Sequence, residues 1–330
     1  MKIFKAEPFY RPSFIERNKV GIDRLFCPEE KLHPGFNRRM FDEDFARLLS
    51  SLNQHDGDSF KIESTDEPLT LKLLSNVRTR YSSRSIEKTI IQLVEKVAKS
   101  LVFFGRAYYF LYENTEQDEI HIASFRPEGV IALFGRYIQW VPKRRENHWD
   151  RDNEEHPREI RILDASKVMR FDIPKAIKKL LSIQNKMLYT LDKHRFENVG
   201  FPPTATYENP NPINHFDFSA WNDTQERALY RATRSTGWNG RKYDSTKRSD
   251  FFDCHRLIRF RRNQLLLRDS ILEQLSHELS KIGKRYNADF SVSISGTDKL
   301  PSISHLNELE TKLEREEVGF IEVTDYCFKR

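Results

Sequence analysis

The sequence predicts an α+β fold: an antiparallel β-meander packed against helices, with a basic helical C-terminal part. Three observations lead there. Ile86, Ile90, Leu93, Val94, Val97 and Leu101 recur at helical spacing. After Gly105 the pattern turns aromatic and alternating, as strands do, and stays so through about residue 173. Beyond residue 255 the helical period returns, with Leu265, Leu272 and Leu279 spaced by heptads.

Taken in order, residues 1–40 hold Pro8, Pro12, Pro28, Pro34, Gly21 and Gly35 without a sustained period, and read as an irregular arm. A short helix is expected over "FDEDFARLLSSL" (41–52), where Phe41, Phe45, Leu48, Leu49 and Leu52 form one stripe and acids occupy the first turn. Residues 53–68 read as a polar loop around a short strand. In "SSRSIEKTIIQLVEKVAKSLVFF", Ser83 or Ser85 is placed to cap the helix and Gly105 to stop it.

"RAYYFLYEN", "DEIHIASFRP", "GVIALFG", "RYIQWVPKR" and "REIRILDASKVMRFDIP" then follow as short strands separated by turns. Pro174 opens another helix, because a proline in the first turn loses only an N–H that has no helical partner. The Pro- and Asn-rich stretch 200–223 reads as a linker or long loop. The last long helix spans 255–283, and "ADFSVSIS" and "VGFIEVTDYCF" are expected as strands flanking the helix "ISHLNELETKLEREE". This divides the chain into an arm (1–40), a core domain of helices and antiparallel sheet (41–199), the linker (200–223) and a basic helical region with terminal strands (224–330).

Composition narrows the function classes. Aromatics make up 12% of the 330 residues, 24 of them Phe, so a packed core is expected under a charge-rich surface. The cysteines Cys27, Cys254 and Cys327 lie far apart and form no C-x-x-C pair, which suits a reducing cytoplasm rather than a disulfide scaffold. The opening residues lack the apolar core of a signal peptide, and no apolar run approaches the ~20 residues of a membrane span. A cytoplasmic protein without a membrane partner is therefore expected. The net charge of +6 suits a nucleic-acid partner, DNA or RNA.

The placement of that charge picks out the segment Arg227–Arg262. It carries Arg227, Arg231, Arg234, Arg241, Lys242, Lys247, Arg248, Arg256, Arg259, Arg261 and Arg262, interleaved with Trp221, Tyr230, Trp238, Tyr243, Phe251 and Phe252. Guanidinium forks neutralise phosphates and rings stack on exposed bases, so these cations and Trp238 form the expected nucleic-acid-binding set. Arg227, Arg231 and Arg234 fall on one face of any helix there. A solvated, salt-bridged surface whose rings belong to the core is the competing reading.

Catalysis finds no comparable support. The spacing Arg151 to His156 matches the R-x4-H pattern of a helical ribonuclease family, but here it lies in a charged loop that ends at Pro157. His148 and His156 share that loop with Asp150, Asp152, Glu154 and Glu155 without metal-ligand spacing, and no phosphate-binding glycine loop or nucleophile elbow occurs. Neither a metal nor a cofactor is expected. A nucleic-acid-processing or anti-phage defence enzyme whose carboxylates gather only in three dimensions stays open, as does an adaptor whose basic surface meets an acidic protein.

The central segment resembles the middle of tailed-phage portal proteins. There a helix runs into a G-x-A-Y strand, followed by a hairpin, a P-x-x-V turn and further strands. Gly105, Ala107, Tyr108, Pro127, Val130, Tyr137 and Val168 stand at the corresponding places. After "FDIP", where that family has a Gly-rich segment, this chain continues "KAIKKLL". The resemblance implies a non-enzymatic, self-associating structural protein that forms rings around passing DNA, located in a virion if phage-encoded.

Overall fold

In the computed structural model, which describes residues 6–9, 35–49, 59–78, 85–114, 119–141, 159–193, 218–240 and 249–328, the fold is α+β and is organised around the join at Gly105. Helix α1 (Phe36–Ala46) precedes strand β1 (Phe60–Ser64) and helix α2 (Glu67–Ser75). Helix α3 (Ile86–Phe104) then runs into β2 (Arg106–Asn114). Ser85 caps α3 by accepting from the Lys88 N–H at 3.2 Å. Gly105 ends it in the left-handed conformation (φ 74°), donating its N–H to the Leu101 carbonyl, a geometry that costs a side-chain-bearing residue energy.

Strand β2 is buried on both faces, which explains its unbroken apolar run. Ala107, Tyr109 and Leu111 face the main helical core, whereas Tyr108 and Phe110 face a second core with Phe125, Val130, Leu163 and Val168. The five strands after β2 are β3 (Glu119–Phe125), β4 (Val130–Leu133), β5 (Arg136–Val141), β6 (Glu159–Leu163) and β7 (Val168–Asp172). They are antiparallel, as expected, but divide into two three-stranded sheets, β3-β2-β7 and β4-β5-β6. Strand β7 returns to pair with β2 because β2, whose side chains are buried on both faces, needs a partner on each edge.

Helix α4 (Lys175–Lys193) starts just after Pro174, α5 spans Phe218–Ala232, and α6 (Asp250–Gly283) runs for 34 residues, about 50 Å. Leu265, Leu272 and Leu279 of α6 are all buried, which accounts for the heptad spacing. Strand β8 (Val292–Gly296) pairs with β1, and Ser280 and Ser276 of α6 accept hydrogen bonds from the Val292 and Ile294 N–H groups on its other edge. Helices α7 (Ile303–Glu314) and α8 (Phe320–Phe328) pack on the N-terminal part of α6 around Cys254, Ile258 and Leu265. Among the described residues no helix is long and apolar enough to cross a membrane.

Three expectations change. The segment "VGFIEVTDYCF" is a helix, not a strand. Its β-branched residues are outweighed because the helix buries Val323 and Cys327 against α6 while leaving Ile321 and Asp325 exposed, whereas a strand would turn all four to one face. Helix α1 spans Phe36–Ala46 instead of 41–52 and has no acid in its first turn. Its start is held instead from α4, where the Asp192 carboxylate accepts from the Asn37 and Arg38 N–H groups at 3.2 Å. A side chain at Gly35 would collide with that carboxylate, at 2.2 Å from Oδ2. Finally, α5 starts inside the stretch read as linker, at Phe218.

Candidate nucleic-acid interface

The basic segment divides by depth. Three of the residues expected to touch nucleic acid are interior. Arg256 is buried and hydrogen-bonds the Asn239 carbonyl oxygen, the Tyr230 and Trp238 backbone carbonyls and the Thr233 hydroxyl. Its guanidinium lies 3.8 Å from the centroid of the Tyr230 ring. Arg261, 1% exposed, donates to the Leu48 carbonyl and to Gln264 Oε1. Trp238 donates its indole N–H to Asp44 at 3.1 Å and meets Phe41 edge-on. These groups tie α5, α6 and α1 together, and a buried guanidinium is tolerable only when its donors are met in this way.

The turn that brings them together depends on Gly237. Its φ is 79°, and a Cβ there would lie 2.1 Å from the Arg256 carbonyl oxygen. Only glycine allows α6 to approach the turn so closely. Arg262 is half-buried and occupied differently, in an ion pair with Glu310 of α7 that His255 shares. Burial works against the Glu310 carboxylate, yet the Arg262 and His255 groups beside it hold its pKa below the usual carboxylate value.

The remaining described cations are exposed. Arg227 and Arg231 lie on α5, and Arg234 follows in the turn after it, one face carrying all three. Exposed Arg259 joins them from α6 by donating to the Arg234 carbonyl at 3.0 Å. Arg241, Lys242, Lys247 and Arg248 lie outside the described residues, as do Arg151, His148 and His156.

Helix α4 carries further exposed cations, which the reading of the sequence missed. Its buried Gln184 donates to the Ala232 carbonyl and accepts from Thr236, which fixes α4 beside the arginine turn. Lys175, Lys178, Lys179, Lys186 and Lys193 are exposed along it. Its one acid, Asp192, is already engaged with the start of α1. Among the described residues, neither these lysines nor Arg227, Arg231, Arg234 and Arg259 make an ion pair. The usable signal in the sequence was a helix with lysines on several sides and a single acid. Such a surface attracts polyanions through its field. Among the described residues no group of three or more His, Cys, Asp or Glu is placed to hold a metal.

No protein-family model and no curated protein matches the sequence. Among solved structures, the chain is similar to a component of the neck of an empty GTA particle, at 11% identity over 85% of this chain and 86% of that one, with a TM-score of 0.44. A virion component of a native gene transfer agent particle aligns at 13% identity over 94% and 92% of the two chains, with a TM-score of 0.40. An HK97-family phage portal protein from Corynebacterium diphtheriae aligns at 10% identity over 80% and 96%, with a TM-score of 0.39. The chain thus bears a weak resemblance to phage portal and particle-neck proteins, and at TM-scores this low the overlay itself carries nothing further.

Proposed function

We propose that this chain is a non-enzymatic structural protein that self-assembles, portal-like, and holds nucleic acid against the cationic face of α4, α5 and the turn after α5. One observation carries the reading. Arg227, Arg231, Arg234 and Arg259 are exposed on and beside α5, and among the described residues none of them makes an ion pair. Unpaired surface cations at this density release counterions from a phosphate backbone on contact, which gives affinity without sequence preference. The buried arginines contribute scaffold, not contacts.

The test is salt-dependent binding of labelled duplex DNA, with single-stranded DNA and RNA as competitors. The wild type should lose affinity steeply as salt rises from about 50 to 200 mM, in proportion to the phosphates it neutralises. Arg227→Glu/Arg231→Glu/Arg234→Glu should weaken binding more than about tenfold at low salt and flatten that dependence. Equal binding by the triple variant, with an unchanged circular dichroism spectrum, would overturn the reading. Light scattering and negative-stain imaging test assembly separately.

A further inference from the structure

The β4–β5 hairpin carries a feature that packing within one chain does not explain. Its two-residue turn is Phe134-Gly135, both in the left-handed region, with φ 47° and 73°. The first of these positions ordinarily holds Asn, Asp or Gly, since a bulky side chain is strained there. Phe134 is nonetheless 96% exposed, and its neighbour Leu133 is also exposed. Backbone strain and an aromatic ring in water both cost free energy, and the fold recovers neither.

The same molecule carries a receptacle of matching chemistry. A cavity of about 410 Å³ opens between the N-terminal part of α6, helix α8 and the turn at Gly237. Trp238, Leu257 and Phe260 line it, with Phe320 and Phe328 beside them. Asp250 and Asp325, both exposed, add negative charge, opposite in sign to exposed Arg136 beside the hairpin turn. A ring flanked by a cation therefore faces an aromatic slot flanked by carboxylates, the pairing found at interface anchors.

The chain does not make this contact with itself, since Phe134 is 96% exposed and is not part of the cavity lining. Tyr137, three residues from Phe134, lines a shallow pocket together with Glu273, Gln274 and Glu278 of α6, whereas the cavity is lined from α6 by residues between Asp250 and Gln264. Along the helix axis Glu273 is about 14 Å from Gln264, the nearest α6 residue of the lining, and about 24 Å from Leu257, against the roughly 10 Å that the hairpin spans beyond Tyr137.

We propose that Phe134 of one copy of this chain seats in the α6–α8 cavity of a second copy. This interface rests on the self-assembly reading and gives it a specific contact. Knob and slot are different surfaces, so the association is head-to-tail. It closes into a ring if the rotation between copies permits, and otherwise extends as a filament.

Two experiments decide it. Phe134→Asn places a turn-favouring residue in the left-handed position, so the hairpin is kept and thermal stability should stay or rise. Assembly, followed by light scattering against concentration, should require at least about tenfold more protein. Separately, Phe134→Cys and Ile321→Cys are made in different molecules, mixed and treated with oxidised glutathione, which takes up the two thiol hydrogens as the disulfide forms. Ile321 is 78% exposed at the cavity. Mass spectrometry should find the two introduced thiols linked to each other, or the hairpin thiol linked to Cys254 or Cys327 of the cavity. Linkage of two hairpin thiols to each other, or Phe134→Asn assembling as the wild type does, overturns the contact while leaving the self-assembly reading standing. A wild type that stays monomeric at every concentration removes both.

Discussion

Arg256 and Arg231 come from the same basic segment and have opposite fates. Arg256 points inward, where its donors meet Asn239, Thr233 and two backbone carbonyls and its plane covers Tyr230. Arg231, on α5, points outward into solvent with no ion pair among the described residues. The inner arginine is a strut and the outer one is a free charge. Positive charge in a sequence therefore reports a binding surface only after the buried, hydrogen-bonded guanidiniums have been subtracted.

The largest effect expected from this contrast is at Arg256. Arg256→Ala should destabilise the fold by about 3–5 kcal/mol in urea unfolding, because several buried acceptors lose a charged donor at once. Arg256→Lys should recover little of it, since a single ammonium cannot reach the positions a planar fork serves. A loss below about 1 kcal/mol for Arg256→Ala would mean that the inner arginine is no strut.

Asp42 sharpens the contrast from the acidic side. It is 1% exposed, with Arg38 Nε at 3.7 Å and Asn185 of α4 nearby. Burial pushes its carboxyl up to about 7, against the partial opposing pull of Arg38 and Asn185. The native state thus keeps a proton that the unfolded chain releases near pH 3.8. Stability from this group is complete below about pH 4, falls as the pH rises towards 7 and is lost above it. Asp42→Asn should match the wild type at pH 4 and exceed it by roughly 2–4 kcal/mol at pH 8. A difference that stays constant across this range would place the Asp42 titration elsewhere.

A smaller effect, about 1 kcal/mol, is expected for Ser85→Ala at the start of α3, where one N–H loses its acceptor. Arg231→Glu should be smallest of all for folding, within about 0.5 kcal/mol, while still weakening DNA binding. Its test is the pairing of an unchanged urea midpoint with a shifted binding curve. If the midpoint moves as far as it does for Arg256→Ala, the division into inner and outer arginines fails.

What the residues alone could reveal followed from local periodicity and capping. The α3 stripe, the stop at Gly105, the alternation of β3 and the heptad leucines of α6 each depend on neighbours a few positions apart. The start of α1 did not read correctly, because its cap comes from Asp192, 155 residues away from Asn37. The place of α4 beside the arginine turn was not legible either, because it is fixed by Gln184 meeting the Ala232 carbonyl, 48 residues away.

The sequence by itself determined which segments are helices and strands wherever one face repeats at a fixed period, because that pattern is a property of the chain's own geometry. Tertiary structure decided that "VGFIEVTDYCF" is helical, since the groove of α6 and α7 takes Val323 and Cys327 while Asp325 between them stays exposed. It also decided which cations face water. Arginine is long enough to satisfy its donors inside or to stay outside, and the choice depends on acceptors contributed by distant parts of the chain, such as the Leu48 carbonyl that meets Arg261.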